Sequence, residues 1–269
     1  MPCYNIQVIK KRLDNIMVER GMVESRAFAQ RLVMAGEVRV EGQVALKPSQ
    51  HVFEDAQIEI EQGEPFVSRG GEKLHSALVA FQIEVAQLVC VDVGASTGGF
   101  TDCLLQHGAA RVYAIDVGKG ILHWKLRQDT RVVVMEEVNA RYVEHLPEPI
   151  DLVTIDVSFI SLKIILPVVK AWFSSYKVNP GMIIALIKPQ FEAGRAAVAH
   201  GQGVIRDPHI HRQVLLDVLE FFQKEGFGIR GLMRSPITGP KGNIEFLAYW
   251  IYPGDSTSLD TLITPLFDS

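Results

Sequence analysis

Four ionisable residues lie where the sequence pattern predicts the end of a strand, the start of a strand, or the end of a linker. Asp156 follows the apolar run of DLVTIDVSF, Lys188 follows that of ALIKPQF, and Glu245 opens the run of GNIEFLAYW. Lys73 comes just after a stretch with Gly, Pro and Ser, in SRGGEKL. A lone lysine after a buried strand is usually only solvated. Two lysines and two acids around one cleft indicate chemistry, because the acids can orient the lysines.

A glycine-rich turn precedes these residues in the chain. VDVGASTGGF, residues 91–100, has the pattern of a strand, a turn and the start of a helix. Glycines let the backbone approach a ligand closely, and a helix N-terminus adds partial positive charge. The order of its glycines differs from the GxGxxG fingerprint of dinucleotide-binding proteins. An ordinary strand–helix turn has the same composition, so the glycines alone do not identify a ligand.

Asp116, at the end of the second predicted strand, makes the prediction more specific. An acid there accepts hydrogen bonds from ribose hydroxyls, which suggests a cofactor that contains adenosine. S-adenosylmethionine fits better than a dinucleotide, because its amino-acid end needs no pyrophosphate cradle. We expect Asp92 to reach the amino group of the cofactor and Asn139 to meet the adenine. The predicted cofactor site comprises Asp92, Gly94, Ala95, Ser96, Thr97, Gly98, Gly99, Phe100, Asp116, Asn139 and Asp156.

The elements that must position these residues fall into two blocks. Residues 1–61 predict a small α+β domain with two helices followed by strands, and the second helix has Ser25 as its N-cap. Residues 62–71 read as a linker, and residues 72–269 as an α/β domain. Its near-continuous apolar strands alternate with helices, which predicts a parallel sheet covered on both faces. The predicted strands span residues 88–93, 111–115, 132–135, 152–155, 182–187 and 244–251.

The motifs, in this order, resemble those of the TlyA family, S4-domain-bearing ribosomal RNA 2′-O-methyltransferases often labelled hemolysins. RLDNIMVERGMVESRAFAQRLVMAGEVRVEGQVALKPSQHV resembles the S4 RNA-binding module. VSRGGEKL, DVGASTGGFTDCLL, DVSFISL, IKPQFEAGR and GPKGNIEFL look like the other segments of the family. The second domain is similar to the FtsJ-type methyltransferases, which implies a Rossmann-like seven-stranded fold that uses S-adenosylmethionine. The Lys-Asp-Lys-Glu tetrad of those enzymes maps onto Lys73, Asp156, Lys188 and Glu245.

The resemblance implies methyl transfer to a ribose 2′-hydroxyl of ribosomal RNA, with cytidine as the expected target. Lys188 would be the general base or would orient the hydroxyl, and Asp156 would position Lys188. Lys73 and Glu245 would tune the site and align the hydroxyl. The expected partner is ribosomal RNA or a ribosomal subunit.

Basic residues in and after the S4-like module are candidates for RNA contacts. Arg12, Arg26 and Lys47 are expected to contact phosphates, with simple surface solvation as the alternative. Arg69, in the linker, would touch RNA or cap a turn. The first 53 residues hold eight basic and five acidic side chains, although the whole chain has a formal net charge of -4. This local surplus predicts weak non-specific binding and a dependence on RNA shape.

Composition limits the other functions. With 48% hydrophobic and 22% charged residues, the chain is a globular protein and not a disordered one. No signal peptide and no apolar run of ~18 residues is present, so we expect a cytoplasmic protein without a membrane partner. Three cysteines without CxxC spacing predict no metal site, and Cys90 and Cys103 are expected to be packing residues.

Two other functions stay open from the sequence. One is an RNA-binding ribosome-assembly factor without catalytic activity, against which the complete tetrad argues. The other is the membrane-damaging activity that the hemolysin label implies, against which the lack of a membrane-inserting segment argues.

Overall fold

The computed structural model describes residues 10–60, 65–176, 180–194, 203–239 and 241–267. The chain divides into two compact units, Met1–Pro65 and Phe66–Ser269. Residues 62–64 of the predicted linker lie outside the described residues, and its last two residues, Gly70 and Gly71, begin a helix. The domain limits at residues 61 and 72 stay a prediction.

The first unit contains two short helices and two small sheets. Its N-cap prediction is confirmed, because Ser25 Oγ accepts a hydrogen bond from Phe28 N at 3.2 Å. Strands β1 and β4 pair with each other, and the second sheet has the order β3-β2-β5. The elements are β1 Lys10–Arg12, α1 Leu13–Glu19, α2 Arg26–Met34, β2 Val38–Val40, β3 Gln43–Val44, β4 His51–Phe53 and β5 Ile58–Ile60.

The second unit is a seven-stranded sheet with helices, as the resemblance to the FtsJ-type methyltransferases implies. The order of its strands is β11-β12-β10-β9-β6-β7-β8. The strands are β6 Val89–Val93, β7 Arg111–Ile115, β8 Val132–Met135, β9 Leu152–Ile155, β10 Gly181–Ile187, β11 Gly228–Arg234 and β12 Phe246–Tyr252. The helices are α3 Gly70–Ala80, α4 Gly99–Gln106, α5 Trp124–Gln128, α6 Leu162–Tyr176, α7 Pro189–Glu192, α8 Pro208–Lys224 and α9 Asp260–Ile263, with 3-10 turns at Ala140–Tyr142 and Thr264–Leu266.

The predicted all-parallel sheet is wrong at one edge. Strands β6 to β10 are parallel, but β12 is antiparallel to both β10 and β11. The sequence did not reveal β11, because its GIRGLMR segment carries two arginines and two glycines and lacks a continuous apolar run. Because β12 runs antiparallel to β10, Glu245, at the start of β12, lies beside the end of β10.

Two apolar layers bury the sheet, one on each face. Alternate residues of β10 face opposite layers, so Ile183 joins the layer under α6 and α8 while Ile184 joins the layer under α3 and α4. Trp250 of β12 is fully buried and stacks on Phe222 of α8, with ring centroids 4.2 Å apart. Helices on both faces therefore hold the strand ends in place. In the described part of the chain, none of the helices has the length and apolar character that crossing a bilayer needs.

Candidate active site

Strand register brings three of the four predicted catalytic residues to one edge of the sheet. Ile187 pairs with Phe246 across β10 and β12, so Lys188 and Glu245 occupy the next pair of positions. Asp156 follows β9, which is the parallel neighbour of β10, and its backbone N donates to Val93 O of β6 at 2.9 Å. The carboxyl ends of β6, β9 and β10 thus meet the start of β12.

The first of two ion pairs joins Lys188 to Asp156. Lys188 Nζ lies 2.6 Å from Asp156 Oδ1 and donates a hydrogen bond to Ser158 Oγ at 3.0 Å. The two charged side chains are 9% and 22% exposed, respectively, so the pair is mostly shielded but reaches solvent on the Asp156 side. The contact with Asp156 is an ion pair without hydrogen-bond geometry, because Asp156 Oδ1 has no hydrogen-bond partner among the described residues. An ammonium has three N–H donors, so the bond to Ser158 leaves donors for a further acceptor.

The second ion pair joins Lys73 to Glu245, and its carboxylate is less exposed to solvent than that of the first pair. Lys73 Nζ donates to Glu245 Oε2 at 2.6 Å, and the two side chains are 10% and 1% exposed. Helix α3 places Lys73 there, although the sequence predicted a linker up to residue 71. Gly239 fits closely over the carboxylate, because a Cβ at that position would lie 2.5 Å from Glu245 Oε1. The tetrad residues therefore form two pairs, one open and one enclosed.

The glycine loop fits tightly against the same strand end. Gly94 has φ +85°, and a Cβ there would lie 2.5 Å from the carbonyl oxygen of Asp156. A Cβ on Gly99 would lie 2.4 Å from Ser68 Oγ and 2.8 Å from the backbone N of Gly71. The loop thus sits against Asp156 on one side and against the start of α3, the helix of Lys73, on the other.

A cavity of about 400 Å³ opens beside this loop. Five predicted site residues line it: Gly94, Ser96, Asp116, Asn139 and Asp156. Its other walls are mainly apolar and come from Val93, Ile115, Val117, Ile121, Val138, Ala140, Val157, Ser158, Phe159, Ile160 and Ile165. The volume and the mostly apolar lining with a few polar groups are typical of a small-molecule site.

Asp116 and Asn139 are held by hydrogen bonds to nearby backbone. Asp116 Oδ2 accepts from Ser96 N at 2.9 Å, and its Oδ1 accepts from Gly118 N at 2.7 Å. Asn139 Oδ1 accepts from Arg141 N at 3.1 Å and caps the short turn that follows. Carboxylate oxygens keep further acceptor capacity after one bond each, so Asp116 can still bind hydroxyl groups in the cavity.

Other predicted cofactor residues do not line the cavity. Asp92 is fully buried: its Oδ2 accepts from Thr101 Oγ1 at 2.7 Å and its Oδ1 from Thr154 Oγ1 at 3.3 Å. Burial raises the pKa of Asp92 to about 7. In this structure Asp92 ties β6 to α4 and β9. The loop residues outside the cavity wall are Ala95, Thr97, Gly98, Gly99 and Phe100, of which Thr97 is exposed and the others are buried.

Two neighbours of Asp156 were missed by the sequence reasoning. Ser158 accepts the hydrogen bond from Lys188, and Phe159 lines the cavity with its side chain almost wholly exposed, at 91%. Phe159 also has φ +65°, an uncommon conformation for an aromatic residue. Its ring centroid lies 4.9 Å from that of Phe191. Both missed residues belong to DVSFISL, whose position directly after a strand was the available signal.

The predicted RNA contacts differ in how free their side chains are. Arg12 Nε and Nη2 donate to the buried carboxylate of Asp14 at 3.0 and 2.8 Å, and Arg26 Nε donates to it at 3.0 Å. The arginines, Arg12 above all, hold the pKa of Asp14 well below its usual range. Lys47 is exposed, and the exposed Arg69 is the residue that precedes α3. Asp14 therefore holds the side chains of Arg12 and Arg26, and Arg26, like Lys47, is exposed.

Comparison with known proteins agrees with these two units. The S4 domain model matches residues 11–58, and the model described as FtsJ-like methyltransferase matches residues 66–252. The second match covers well over half of the chain, and it contains the cavity and both ion pairs. The protein is thus a methyltransferase of the FtsJ-like class that carries an S4 domain.

Whole-chain relatives narrow the family. The 16S/23S rRNA (cytidine-2′-O)-methyltransferase TlyA of Mycobacterium tuberculosis is 43% identical over 244 residues, which cover 89% of each chain. Hemolysin A of Brachyspira hyodysenteriae is 44% identical over 243 residues, 89% of this chain and 99% of that one. A solved structure of a candidate hemolysin from Streptococcus thermophilus is 41% identical with a TM-score of 0.70, and the match covers 96% of this chain and 94% of that chain. The chain belongs to the TlyA family.

Proposed function

We propose that the protein transfers a methyl group from S-adenosylmethionine to a ribose 2′-hydroxyl of ribosomal RNA, at a cytidine. The pair Lys188–Asp156 carries this proposal, because its 2.6 Å contact joins an ammonium to a carboxylate that lines the cavity. The name of the Mycobacterium tuberculosis relative supports the choice of substrate and nucleotide.

The residues of the cavity fit the cofactor. S-adenosylmethionine supplies an electrophilic methyl group on a sulfonium centre. Apolar side chains such as Val117, Ile121 and Val138 would hold the adenine beside Asn139, and Asp116 would bind the ribose hydroxyls. Gly94, Ala95, Ser96, Thr97, Gly98, Gly99 and Phe100 form the loop around the amino-acid end, and Asp156 borders it. Asp92 would act from behind the loop, by fixing the start of α4 through Thr101.

Lys188 would align the RNA hydroxyl. A ribose hydroxyl is a weak nucleophile because its pKa lies well above neutrality. An N–H of Lys188 that Ser158 does not use can bind the 2′-oxygen and point it at the methyl carbon. The cofactor would supply the methyl carbon and leave as S-adenosylhomocysteine with the electron pair of the carbon–sulfur bond, while the hydroxyl proton would pass to solvent water. The general-base role for Lys188 remains the alternative, which the pH dependence of the rate would distinguish.

Lys73 and Glu245 would support this arrangement. Their enclosed ion pair lies next to Lys188 in the register of β10 and β12, so it fixes the charge around the reacting hydroxyl. The S4 unit would bind the RNA, and Arg12, Arg26 and Lys47 would contact its phosphates. Arg69, the residue before α3 in the second unit, would be a further RNA contact. Because Asp14 holds Arg12 and Arg26 in place, less side-chain entropy is lost when they bind a phosphate.

A methyl-transfer assay tests the proposal. Purified protein, radiolabelled S-adenosylmethionine and ribosomal subunits should give ribose-methylated cytidine, mapped by its resistance to alkaline cleavage. Lys188→Ala should lower the rate by at least about a hundredfold, while the affinity for S-adenosylhomocysteine stays within about twofold. The matched control is Lys224→Ala on α8, whose side chain is 75% exposed and should leave the rate unchanged.

Two results would contradict the proposal. A normal rate for Lys188→Ala removes Lys188 from the reaction, and cofactor binding without any transfer by the wild-type protein favours a non-catalytic assembly factor. Leakage of liposomes by the pure protein would instead favour the membrane activity that the name of the Brachyspira relative suggests.

A further inference from the structure

Three side chains with metal-binding atoms meet where α3 packs against α4. His75 comes from α3, Cys103 lies on α4, and His107 is the residue that ends α4. Their ligand atoms all lie within 4.8 Å of one another. His75 Nδ1 and His107 Nε2 are 3.0 Å apart. We call these three residues the α3–α4 cluster.

The two imidazole nitrogens of the cluster lie at nearly the spacing of a tetrahedral zinc site, and the ligand atoms, Cys103 Sγ among them, all lie within 4.8 Å of one another. Zinc binds imidazole nitrogen at ~2.0–2.1 Å and thiolate sulfur at ~2.3 Å, so tetrahedral angles separate two nitrogens by ~3.4 Å and a nitrogen from sulfur by ~3.6 Å. The two ring nitrogens need to separate by only a few tenths of an ångström from their 3.0 Å distance. Cys103 and His107 are four residues apart, which places both on one face of α4.

The surroundings of the cluster suit a bound ion with one open position. Cys103 is fully buried, so its sulfur is fixed at the base, while His75 is exposed and can receive an ion from solvent. A neutral imidazole is the form that binds metal, and a coordinated thiol is deprotonated by the ion itself.

We propose that the α3–α4 cluster binds a divalent transition metal ion of the zinc class, through two imidazole nitrogens, one thiolate and one water. On binding, Cys103 releases its S–H proton to solvent, and the sulfur lone pair forms the bond to the metal. The sequence prediction of no metal site relied on the missing CxxC spacing. That reasoning could not see a ligand set divided between two helices that the fold brings together.

The proposed ion would fasten α3 to α4. Lys73 lies two residues before His75 on α3, and α4 begins at the glycine loop. The metal would therefore stabilise the helix pair on which both the Lys73–Glu245 ion pair and the cofactor loop depend. This role is structural, so the ion takes no part in the methyl transfer.

Cobalt titration of the full chain, produced without an affinity tag and stripped of metal, tests the site. Wild-type protein should bind one Co²⁺ with a thiolate-to-cobalt charge-transfer absorption that zinc abolishes. Cys103→Ala should lose this absorption, and His75→Ala should weaken Co²⁺ binding at least tenfold. Because Cys3 and Cys90 are kept in every variant, their contribution cancels from the comparison.

The matched control is His209→Ala, which removes another exposed helical histidine and should bind Co²⁺ like the wild type. His75 is exposed, so its replacement is a variant whose fold is not at risk, and tryptophan fluorescence checks this. Zinc should also raise the unfolding temperature of the wild type but not that of His75→Ala. A wild-type protein without the absorption, or equal Co²⁺ affinities in the wild type and His75→Ala, would overturn the proposal.

Discussion

Glu245→Gln is the sharpest test of the enclosed ion pair. The substitution keeps the size of the side chain but removes the charge that faces Lys73, whose own side chain is only 10% exposed. Removing one partner from a buried pair costs about 3–5 kcal/mol, because the other charge stays buried without compensation. The Lys73 side chain is not completely buried, so we expect the lower end of this range, about 3 kcal/mol.

Tryptophan fluorescence during urea unfolding measures this loss in the correct unit. All three tryptophans, Trp124, Trp172 and Trp250, lie in the methyltransferase unit, and the last two are buried. The signal therefore follows that unit alone, even if the S4 unit unfolds separately. With a slope of about 3 kcal/mol per molar urea, the expected loss lowers the midpoint by about 1 M.

A double-mutant cycle and a matched control complete the test. Adding Lys73→Met to Glu245→Gln removes the unpaired charge, so the double variant should be more stable than the sum of the single losses predicts, by about 2 kcal/mol. Glu220→Gln makes the same change in the exposed pair with Lys224 and should cost less than about 0.5 kcal/mol. A Glu245→Gln midpoint within about 0.2 M of wild type, or strictly additive losses, would refute the reasoning.

Three further predictions concern the cofactor loop, the exposed ring of Phe159 at the cavity, and the dependence of stability on pH. Gly94→Ala places a Cβ 2.5 Å from the Asp156 carbonyl oxygen, so calorimetry should show at least tenfold weaker binding of S-adenosylhomocysteine. The control is Gly120→Ala, which is also at a positive φ but has no atom within 4 Å of the added Cβ, and which should bind normally. Phe159→Ala should raise the KM for ribosomal RNA about tenfold, because stacking on a base contributes ~1–3 kcal/mol; Phe159→Tyr should retain the wild-type KM, and an unchanged KM in Phe159→Ala would exclude stacking. The pKa of Asp92 is about 7 in the folded protein and ~4 in the unfolded chain. Between these two pH values the folded protein keeps a proton on Asp92 that the unfolded chain has lost. The free energy of unfolding should therefore fall as pH rises from about 4 to about 7. Urea midpoints at pH about 5 and about 8 should differ less in Asp92→Asn than in the wild type, and equal differences would contradict the assignment.

The strand ends of the site could be predicted from sequence, because buried parallel strands are long apolar runs that stop at a polar residue. Asp116, Asp156 and Lys188 each follow such a run directly, and the structure places each at the end of a strand. Helix α3 was not predictable in the same way. Its first residues, Gly70 and Gly71, have the composition of a linker but lie against Gly99 of the glycine loop.

Side-chain direction is what the sequence could not supply. Asp92 belongs to the same loop motif as Gly94, but alternation along β6 turns its carboxylate towards Thr101 and into the protein. Phe159 shows the reverse case. Its backbone has a positive φ and its ring is exposed to solvent, neither of which the sequence around it indicates.

The tetrad itself could be assigned by its resemblance to a family, but its division into two pairs could not. Lys73 and Glu245 are 172 residues apart, and only the antiparallel β12 places the glutamate beside Lys188. The exposures of the two acids then separate their roles. Asp156 is 22% exposed and lines the cavity, so it can meet both cofactor and substrate, whereas Glu245 at 1% can act only through Lys73 and the strand end that it anchors. Substitution of Asp156 should therefore lower cofactor affinity and the rate of methyl transfer first, whereas substitution of Glu245 should lower the stability of the fold first.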